Sequence, residues 1–253
     1  MNRPIANPLL SIVFAEGKRP DHAALVRYAA DRAGAGYGYG YVVTHAAADE
    51  EAHNWAELLV SGLGFDCLGL APGPAAQLPP IGPVFGLNSV LVGESISLQP
   101  GPHITAGAAL PPVVRTLLGL AAALSSLPAV GAVCWHPAGA WMEPQYFQKI
   151  TADWLQGGVF PALGLTVLQR TGDGAMVSQG LSFFIGQDLR IEPTAAASPE
   201  IAARLAVRLI DHLILCGPIR EPQAVMLDGL EPVLAVPLDH GTTLSIRPRR
   251  RAD

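Results

Sequence analysis

A long stretch with a single charged side chain constrains the fold of this chain more than any other feature. Between Glu94 and Glu143 the only Lys, Arg, Asp or Glu is Arg115. The twenty uncharged residues 116–135 are long enough to span a bilayer. Residues 125–128, Ser-Ser-Leu-Pro, interrupt this run and divide it into a helix length and a strand length. We therefore expect a buried helix followed by a buried strand, and no integral membrane segment.

The overall composition favours a globular core and a partner other than nucleic acid. Half of the residues are apolar and 15% are charged, whereas a disordered chain shows the opposite balance. The net charge is −5. The one basic cluster, at the C-terminal end, consists of Arg247, Arg249, Arg250 and Arg251. Without a wider basic face, we interpret this cluster as a solvated tail and expect no nucleic-acid partner.

The cysteines indicate a reducing compartment. Cys67, Cys134 and Cys216 are far apart, lie in apolar segments and form no CxxC pair, so we expect neither a zinc site nor a redox pair. The apolar stretch near residue 10 is too short for a secretory signal. These features predict reduced core thiols in a cytoplasmic protein.

Local patterns predict most helices and strands. We predict strands at 9–15, 89–98, 129–135, 163–169, 175–185 and 189–192, and a last hairpin within 232–248. We predict helices at 21–33, 50–59, 111–124, from 143 to the glycines at 157–158, and from 198 to 216. In the last helix, which begins at Ser-Pro-Glu, the predicted core stripe consists of Ile201, Leu205, Leu209 and Leu213.

The order of these elements predicts an α+β fold. Hairpins outnumber strand-helix-strand crossovers, which favours a largely antiparallel or mixed sheet with helices packed on one face. Two similar α/β sandwich halves are compatible with the pattern. The uncharged Pro- and Gly-rich connection 69–83 is the candidate boundary. It divides the chain into an N-terminal part, 1–85, and a C-terminal part, 86–253, with one continuous domain as the alternative.

Alternating glycines and tyrosines follow the first predicted helix. A dinucleotide-binding loop requires a strand before its glycines and a helix after them, and here the order is reversed. We therefore predict no cofactor. Period-two alternation places Tyr37, Tyr39 and Tyr41 on one face of a strand, where they are candidates for ligand contact.

One region resembles a known family. Residues 129–193 combine a strand with Trp near its end, a helix that begins with Pro, and a hairpin that closes in a Gly-Leu-x-x-Phe-x-Gly run. This combination resembles a bacterial domain of unknown function, number 4261 in its series. The resemblance covers about a quarter of the chain, and its motifs are structural. It implies no established reaction and no catalytic residues.

The residues best suited to catalysis or metal binding lie at the end of the buried strand 129–135 and directly after it. Cys134 and His136 share a face of that strand, and Glu143 lies at the next helix start. A thiol, an imidazole and a carboxylate suit a nucleophilic site or a metal site, and Trp135 and Trp141 would form an apolar wall for a ligand. The alternative is structural: a core thiol, a loop histidine and a carboxylate favoured by the helix dipole.

A second cluster of titratable residues is a weaker candidate. His45 and His53 flank Asp49, Glu50 and Glu51, but the two histidines are eight residues apart, about two helical turns. We interpret this segment as a solvated acidic loop and predict no metal site.

Three functions remain open from the sequence. The first is a cytoplasmic, non-enzymatic binding or protein-interaction domain, with a protein partner or a second copy of the chain as occupant. The second is an enzyme centred on Cys134, His136 and Glu143. The third, peripheral membrane association, depends only on the charge-poor middle of the chain. We place the binding domain first, because no paired titratable residues stand at catalytic spacing.

Overall fold

The computed structural model describes residues 8–34, 40–46, 54–89 and 93–249. The chain divides into two compact units, Met1–Gly157 and Gly158–Asp253. The boundary suggested near residue 85 falls within the first unit, because strands on both sides of it belong to one sheet.

The first unit combines one large sheet with three helices. Its strands are β1 (Leu10–Phe14), β2 (Val42–Ala46), β3 (Trp55–Val60), β4 (Leu63–Leu68), β5 (Val84–Phe85), β6 (Glu94–Pro100), β7 (Val130–Trp135) and β8 (Ala140–Met142). Its helices are α1 (His22–Gly34), α2 (Pro111–Leu124) and α3 (Pro144–Leu155). Within the described residues the strand order is β2-β3-β4-β6-β1-β7-β8-β5, and only the β5–β8 pair is parallel.

One face of this sheet is apolar and forms the core. Strand alternation places on it side chains that are at most 1% exposed: Leu10, Ile12, Phe14, Leu58, Phe65, Cys67, Ile96, Leu98, Val133, Trp135 and Met142. Helix α2 packs against β1, β4 and β6, α3 against β7, and α1 against β2. Each fully buried Leu, Ile or Phe contributes about 1.5–3 kcal/mol. The predicted arrangement, with helices packed on a sheet face, is confirmed in this unit.

The opposite face is covered in part by residues 69–88, which we call the covering segment. Ser95 Oγ donates a hydrogen bond to the Ala76 carbonyl at 2.7 Å. Leu78 and Leu87 pack against a buried cluster that consists of Val13, Ala132, Cys134 and Trp141. The Pro- and Gly-rich composition that suggested a boundary therefore belongs to an irregular segment that lies on the sheet.

The charge-poor stretch becomes core, as predicted. Its first part is α2, with Pro111 at the helix start, and its second part is β7, whose last four residues are buried. Among the helices in the described ranges, none has the length and apolar composition needed to cross a bilayer.

The second unit contains a six-stranded sheet and one long helix. Its strands are β9 (Val167–Arg170), β10 (Met176–Gln179), β11 (Asp188–Ile191), β12 (Gln223–Val225), β13 (Val233–Leu238) and β14 (Thr243–Pro248). Its helices are α4 (Ala162–Leu165), α5 (Leu181–Ile185) and α6 (Pro199–Cys216). Within the described residues the strand order is β12-β13-β14-β11-β10-β9, with β11 and β14 parallel, and α6 packs on β10 and β11.

The core stripe of α6 is correct at three of its four predicted positions. Leu205, Leu209 and Leu213 are buried, but the Ile201 side chain is 41% exposed. Ile201 lies in the first turn, where its N–H bonds to the Ser198 cap, and the buried side of the helix begins one turn later. Helical spacing alone does not indicate where along a helix the packing starts.

One predicted element type is wrong, and two predicted strands have the wrong length. The helix predicted at 50–59 is, where the structure describes it, strand β3, which a two-residue turn joins to β4. Both turn residues, Ser61 and Gly62, have positive φ, as a tight hairpin requires. The strands predicted at 163–169 and 175–185 are shorter than expected. The short helices α4 and α5 replace their ends, and α5 is bounded by Gly180 and Gly186, both at positive φ.

Candidate functional site

The three residues of the sequence-based catalytic hypothesis form no hydrogen bond with one another within the part of the chain that the structure describes. Cys134 is fully buried in β7, where desolvation raises the pKa of its thiol to about 12. A reactive cysteine needs a stabilised thiolate, and this environment disfavours one. Glu143 precedes α3, and its carboxylate accepts a hydrogen bond from the Tyr146 N–H at 2.7 Å. Glu143 is therefore the N-cap of α3, in agreement with the structural alternative.

His136 forms a hydrogen bond with Ser11, a contact that no pattern in the sequence predicts. Its Nε2 lies 2.8 Å from Ser11 Oγ, on the neighbouring strand β1, and the two share a hydrogen bond. Burial lowers the pKa of the His136 imidazole to about 4, so the ring is neutral at pH 7. His136 forms no hydrogen bond with Cys134 or Glu143 among the described residues.

The two tryptophans do not form one wall. Trp135 and Trp141 are both buried, and strand register places them on opposite faces of the sheet. Trp135 belongs to the apolar face. Trp141 lies under the covering segment and donates its indole N–H to the Pro80 carbonyl at 3.2 Å. Both tryptophan side chains are therefore packed inside the protein.

Of the three tyrosines, only Tyr41 lies within the described residues. It precedes β2 and is 4% exposed, and its hydroxyl donates a hydrogen bond to the Leu25 carbonyl at 2.9 Å. Tyr41, a candidate for ligand contact from the sequence, is therefore buried against the helix α1. Tyr37 and Tyr39, like His53, Arg250 and Arg251, lie outside the described residues.

A different group of polar side chains lies on the sheet face opposite the main core. In the register of β3, β4 and β6, Glu57 pairs with Asp66, and Asp66 pairs with Gln99. Directly paired residues project from the same face with Cβ atoms about 5 Å apart. We call Glu57, Asp66 and Gln99 the polar row.

Buried serines extend this polar face toward β7. Ser11 pairs with Ser97 on one side and with Cys134 on the other. Ser97 precedes Gln99 by two residues on β6, so both project from the same face. The exposed fractions of Ser11 and Ser97 are 0% and 2%. The first unit thus carries one apolar sheet face and an opposite face on which buried polar side chains lie beside the apolar cluster of Val13, Ala132, Cys134 and Trp141; we call the polar part of this second face the polar face.

Gln99 is the least satisfied residue of the polar row. Its side chain is 5% exposed, and its buried Oε1 has no hydrogen-bond partner among the described residues. Most buried polar side-chain atoms in folded proteins have a partner, so such an acceptor calls for an explanation. Asp66, next to it, is 1% exposed and interacts within the chain.

Glu57 is the residue of the polar row that β3 contributes. It is half-buried, and its Oε2 accepts a hydrogen bond from the Thr44 hydroxyl at 2.6 Å. Its Oε1 lies 3.0 Å from the position that a Cβ on Gly64 would occupy. Because residue 64 has no side chain, the Glu57 carboxylate can lie over β4 at Gly64. Exposure increases from Gln99 and Asp66 toward Glu57, and the register continues from Glu57 to His45 on β2.

One concavity of the second unit has acidic side chains whose charges are already compensated. This concavity of about 320 Å³ at the start of α6 is lined by Asp173 and Glu192, among others. Hydrogen bonds from the Thr171 hydroxyl and the Arg190 guanidinium lower the pKa of Asp173 to about 2. Arg190 also pairs with Glu192 at 3.2 Å. Among the described residues, no three His, Cys, Asp or Glu side chains cluster closely enough to hold a metal ion.

The polar row was missed because its sequence signal is ambiguous. In β6, Ser95, Ser97 and Gln99 alternate with Ile96 and Leu98, a pattern that normally indicates a strand with one solvated face. Only the pairing of distant strands shows that this face is buried and that it meets the carboxylates of β3 and β4.

Comparisons of this chain with protein families, with curated proteins and with solved structures find no match. The function of this chain is therefore inferred from the geometry of its polar face.

Proposed function

We propose that this chain is a non-enzymatic binding protein and that its polar face recognises a small polar group. The observation that carries the proposal is the Gln99 carboxamide, which is buried with its oxygen unpartnered among the described residues. A ligand with a hydrogen-bond donor satisfies this acceptor, and the neighbouring Asp66 and Ser97 give further polar contacts.

Energetics support this assignment over a purely structural one. A buried acceptor without a partner costs about 1–3 kcal/mol of folding free energy. On the same strand Ile96 and Leu98 fill the core, so an apolar residue at position 99 would be compatible with the strand. Natural proteins violate such local rules at functional sites, which makes Gln99 a candidate for ligand contact.

An enzymatic role gains less support from the geometry. The Ser11–His136 distance of 2.8 Å is within the range of a nucleophile and its base. However, Ser11 has no exposed surface, and a histidine pKa near 4 is far from the neutral range in which a general base works best. We therefore treat this pair as structural and keep the binding role first.

The cellular setting is part of the same proposal. Cys67, Cys134 and Cys216 are free thiols, which suits a cytoplasmic protein; Cys67 and Cys134 are core thiols as predicted, whereas Cys216 is exposed. A protein partner or a second copy of the chain is one source of the bound group. The resemblance of residues 129–193 to the bacterial domain of unknown function stays a prediction, and so does peripheral membrane association.

A thermal-shift screen tests the binding role. Small polar molecules that represent cations, neutral compounds and anions are added to the wild type and to Gln99→Met. We expect at least one class to raise the Tm of the wild type and not that of Gln99→Met. Gln77→Met, at an exposed glutamine of the covering segment, is the matched control and should respond like the wild type. Equal responses of the wild type and Gln99→Met to every compound would contradict the proposal.

A further inference from the structure

A concavity in the first unit collects much of the positive charge of that unit. It lies where the loop after β1, the start of α1 and the turn between α2 and β7 meet, and its volume is about 280 Å³. Lys18, Arg19 and Arg27 all line it. Residues 1–157 contain only seven Lys or Arg in total, so three of the seven meet at one place. We call this cavity the basic concavity.

Two of the three cations have no partner within the described part of the chain. Lys18 and Arg27 are exposed, and neither forms a hydrogen bond or an ion pair with a described residue. The nearby carboxylates are already engaged. Asp21, which also lines the concavity, accepts a backbone N–H at 2.6 Å and caps α1, and Glu94 pairs with Arg19 at 2.9 Å. The concavity therefore presents positive charge that no ion pair neutralises.

Arg19 is the buried cation of the basic concavity. Its side chain is 7% exposed, and its guanidinium donates hydrogen bonds to the Glu94 carboxylate and to the carbonyls of Gly69 and Gly73. These contacts use three of the five N–H donors that a guanidinium carries. The other two have no acceptor among the described residues, so Arg19 both fixes the loop after β1 and keeps donors for a further acceptor.

Backbone hydrogen bonds hold the walls of the basic concavity in place. The Ala71 N–H donates to the Pro20 carbonyl, and the Ala15 N–H donates to the Ala129 carbonyl, both at 3.0 Å. Ala129 directly follows Pro128, a lining residue, and has a φ of 64°, in the left-handed region that favours glycine. Strained residues of this kind cluster at ligand-binding and active sites. A site whose walls are fixed in advance loses little conformational entropy when a ligand binds.

The remaining lining of the basic concavity is apolar. It consists of Phe14, Pro20, Ala24, Ala71, Leu127 and Pro128. Sites for small molecules typically combine apolar walls with a few charged or polar groups. Guanidinium and ammonium groups are the side chains that bind carboxylates and phosphates most strongly. This combination suits an anionic group attached to a small apolar body better than it suits an inorganic ion.

From this combination we propose that the basic concavity binds a small organic anion, a carboxylate or a phosphate ester. Lys18 and Arg27 contact the anionic group, the unused N–H donors of Arg19 add to that contact, and the apolar walls enclose the body of the ligand. The inference goes beyond the binding role of the polar face, because the lining of the concavity includes no residue of the polar row. Either proposal can therefore fail without the other.

Four probes with one aromatic ring and different head groups test the ligand class. Phenyl phosphate, benzoate, benzyl alcohol and benzylamine are titrated separately into the ¹⁵N-labelled protein, and backbone amide shifts are followed. We expect the two anions to shift the amides of Lys18, Asp21 and Ala24, and the alcohol and the amine to leave them unchanged. Inorganic phosphate should bind at least about tenfold more weakly than phenyl phosphate, because it makes no contact with the apolar walls.

Four variants with matched positions test the residues. Lys18→Gln and Arg27→Gln should each weaken phenyl phosphate binding by about tenfold or more, as the loss of a charge-assisted hydrogen bond does. Lys149→Gln, at an exposed lysine of α3, removes the same charge and should bind like the wild type. Ala24→Leu should weaken binding without a change in charge, because the longer side chain fills the concavity. Ala23→Leu, at the exposed neighbouring position, is its control.

The results that would overturn the proposal are specific to this concavity. Preferential binding of benzylamine or benzyl alcohol at these amides would contradict an anion site, and so would equal phenyl phosphate binding by Lys18→Gln, Arg27→Gln and the wild type. Inorganic phosphate binding as tight as that of phenyl phosphate would contradict an organic ligand. Gln99→Met should bind phenyl phosphate like the wild type. A loss of phenyl phosphate binding in Gln99→Met would assign the anion to the polar face and overturn the proposal, while the binding role of that face would stand.

Discussion

Two buried glutamines, one in each unit, have opposite surroundings. Gln187 is 3% exposed and makes three hydrogen bonds: its Nε2 donates to the carbonyls of Ile219 and Gly241, and its Oε1 accepts from the Ile219 N–H. Gln99 is 5% exposed, and its Oε1 has no partner among the described residues. Gln187 thus holds two loops in place in the second unit, whereas Gln99 in the first unit has a buried oxygen that accepts no hydrogen bond from the described residues.

Gln187 is a polar residue that stabilises the fold, whereas Gln99 is one that the fold tolerates. A satisfied buried amide contributes to stability through each of its hydrogen bonds, whereas an unsatisfied one reduces stability. Replacement of each glutamine by the similarly sized, apolar Met should therefore change stability in opposite directions.

Truncation of a core side chain in the second unit should cause the largest loss of stability. Leu209→Ala removes a fully buried side chain of α6, and we expect a loss of about 2–5 kcal/mol in the free energy of unfolding, measured in urea. The matched control Ile201→Ala, at the exposed position of the same predicted stripe, should stay within about 0.5 kcal/mol of the wild type. Equal losses at both positions would contradict the burial of this helix.

The satisfied glutamine should behave like a core residue. Gln187→Met removes three hydrogen bonds and leaves the buried Ile219 N–H without its acceptor, so we expect a loss of about 3 kcal/mol or more. Urea unfolding of the purified variant gives this value. A loss below about 1 kcal/mol would show that these hydrogen bonds do not hold the two loops.

The lowered pKa of His136 predicts that the free energy of unfolding depends on pH. His136 in the unfolded chain takes up a proton below about pH 6.5, but in the folded state only below about pH 4. The unfolded state therefore binds more protons between these values, and stability falls as the pH decreases through this interval. We expect a contribution of about 1–2 kcal/mol, reduced from the full shift because the ring is partly solvated.

His136→Gln tests this dependence, since Gln retains a hydrogen-bonding nitrogen near Ser11 and does not titrate. Between pH 7 and pH 4.5 the variant should lose less unfolding free energy in urea than the wild type. Parallel curves for the two proteins would show that His136 is not responsible.

Elements fixed by local chemistry were predictable from the sequence. The start of α3 follows from Glu143 and Pro144, and the hairpin between β9 and β10 follows from the Thr-Gly-Asp-Gly turn at 171–174. Burial of Leu205, Leu209 and Leu213 follows from helical spacing. These features depend on neighbours within a few residues, and such neighbours are visible in the sequence.

The candidate site was not predictable, because it depends on strand pairing. Ser11 and His136 are 125 positions apart, and nothing near either residue indicates their contact. The polar row joins three strands whose register determines that Gln99 meets Asp66. Period-two alternation showed that β6 has a polar face, but burial of that face depends on the fold of the unit.

The stability of Gln99→Met relative to the wild type tests the central claim most directly. If Gln99 serves binding, Met removes an unsatisfied buried acceptor and should raise the free energy of unfolding in urea by about 1–2 kcal/mol. The variant should at the same time lose ligand-induced stabilisation. A decrease in the free energy of unfolding, in the direction expected for Gln187→Met, would show that Gln99 stabilises the fold and would contradict the account.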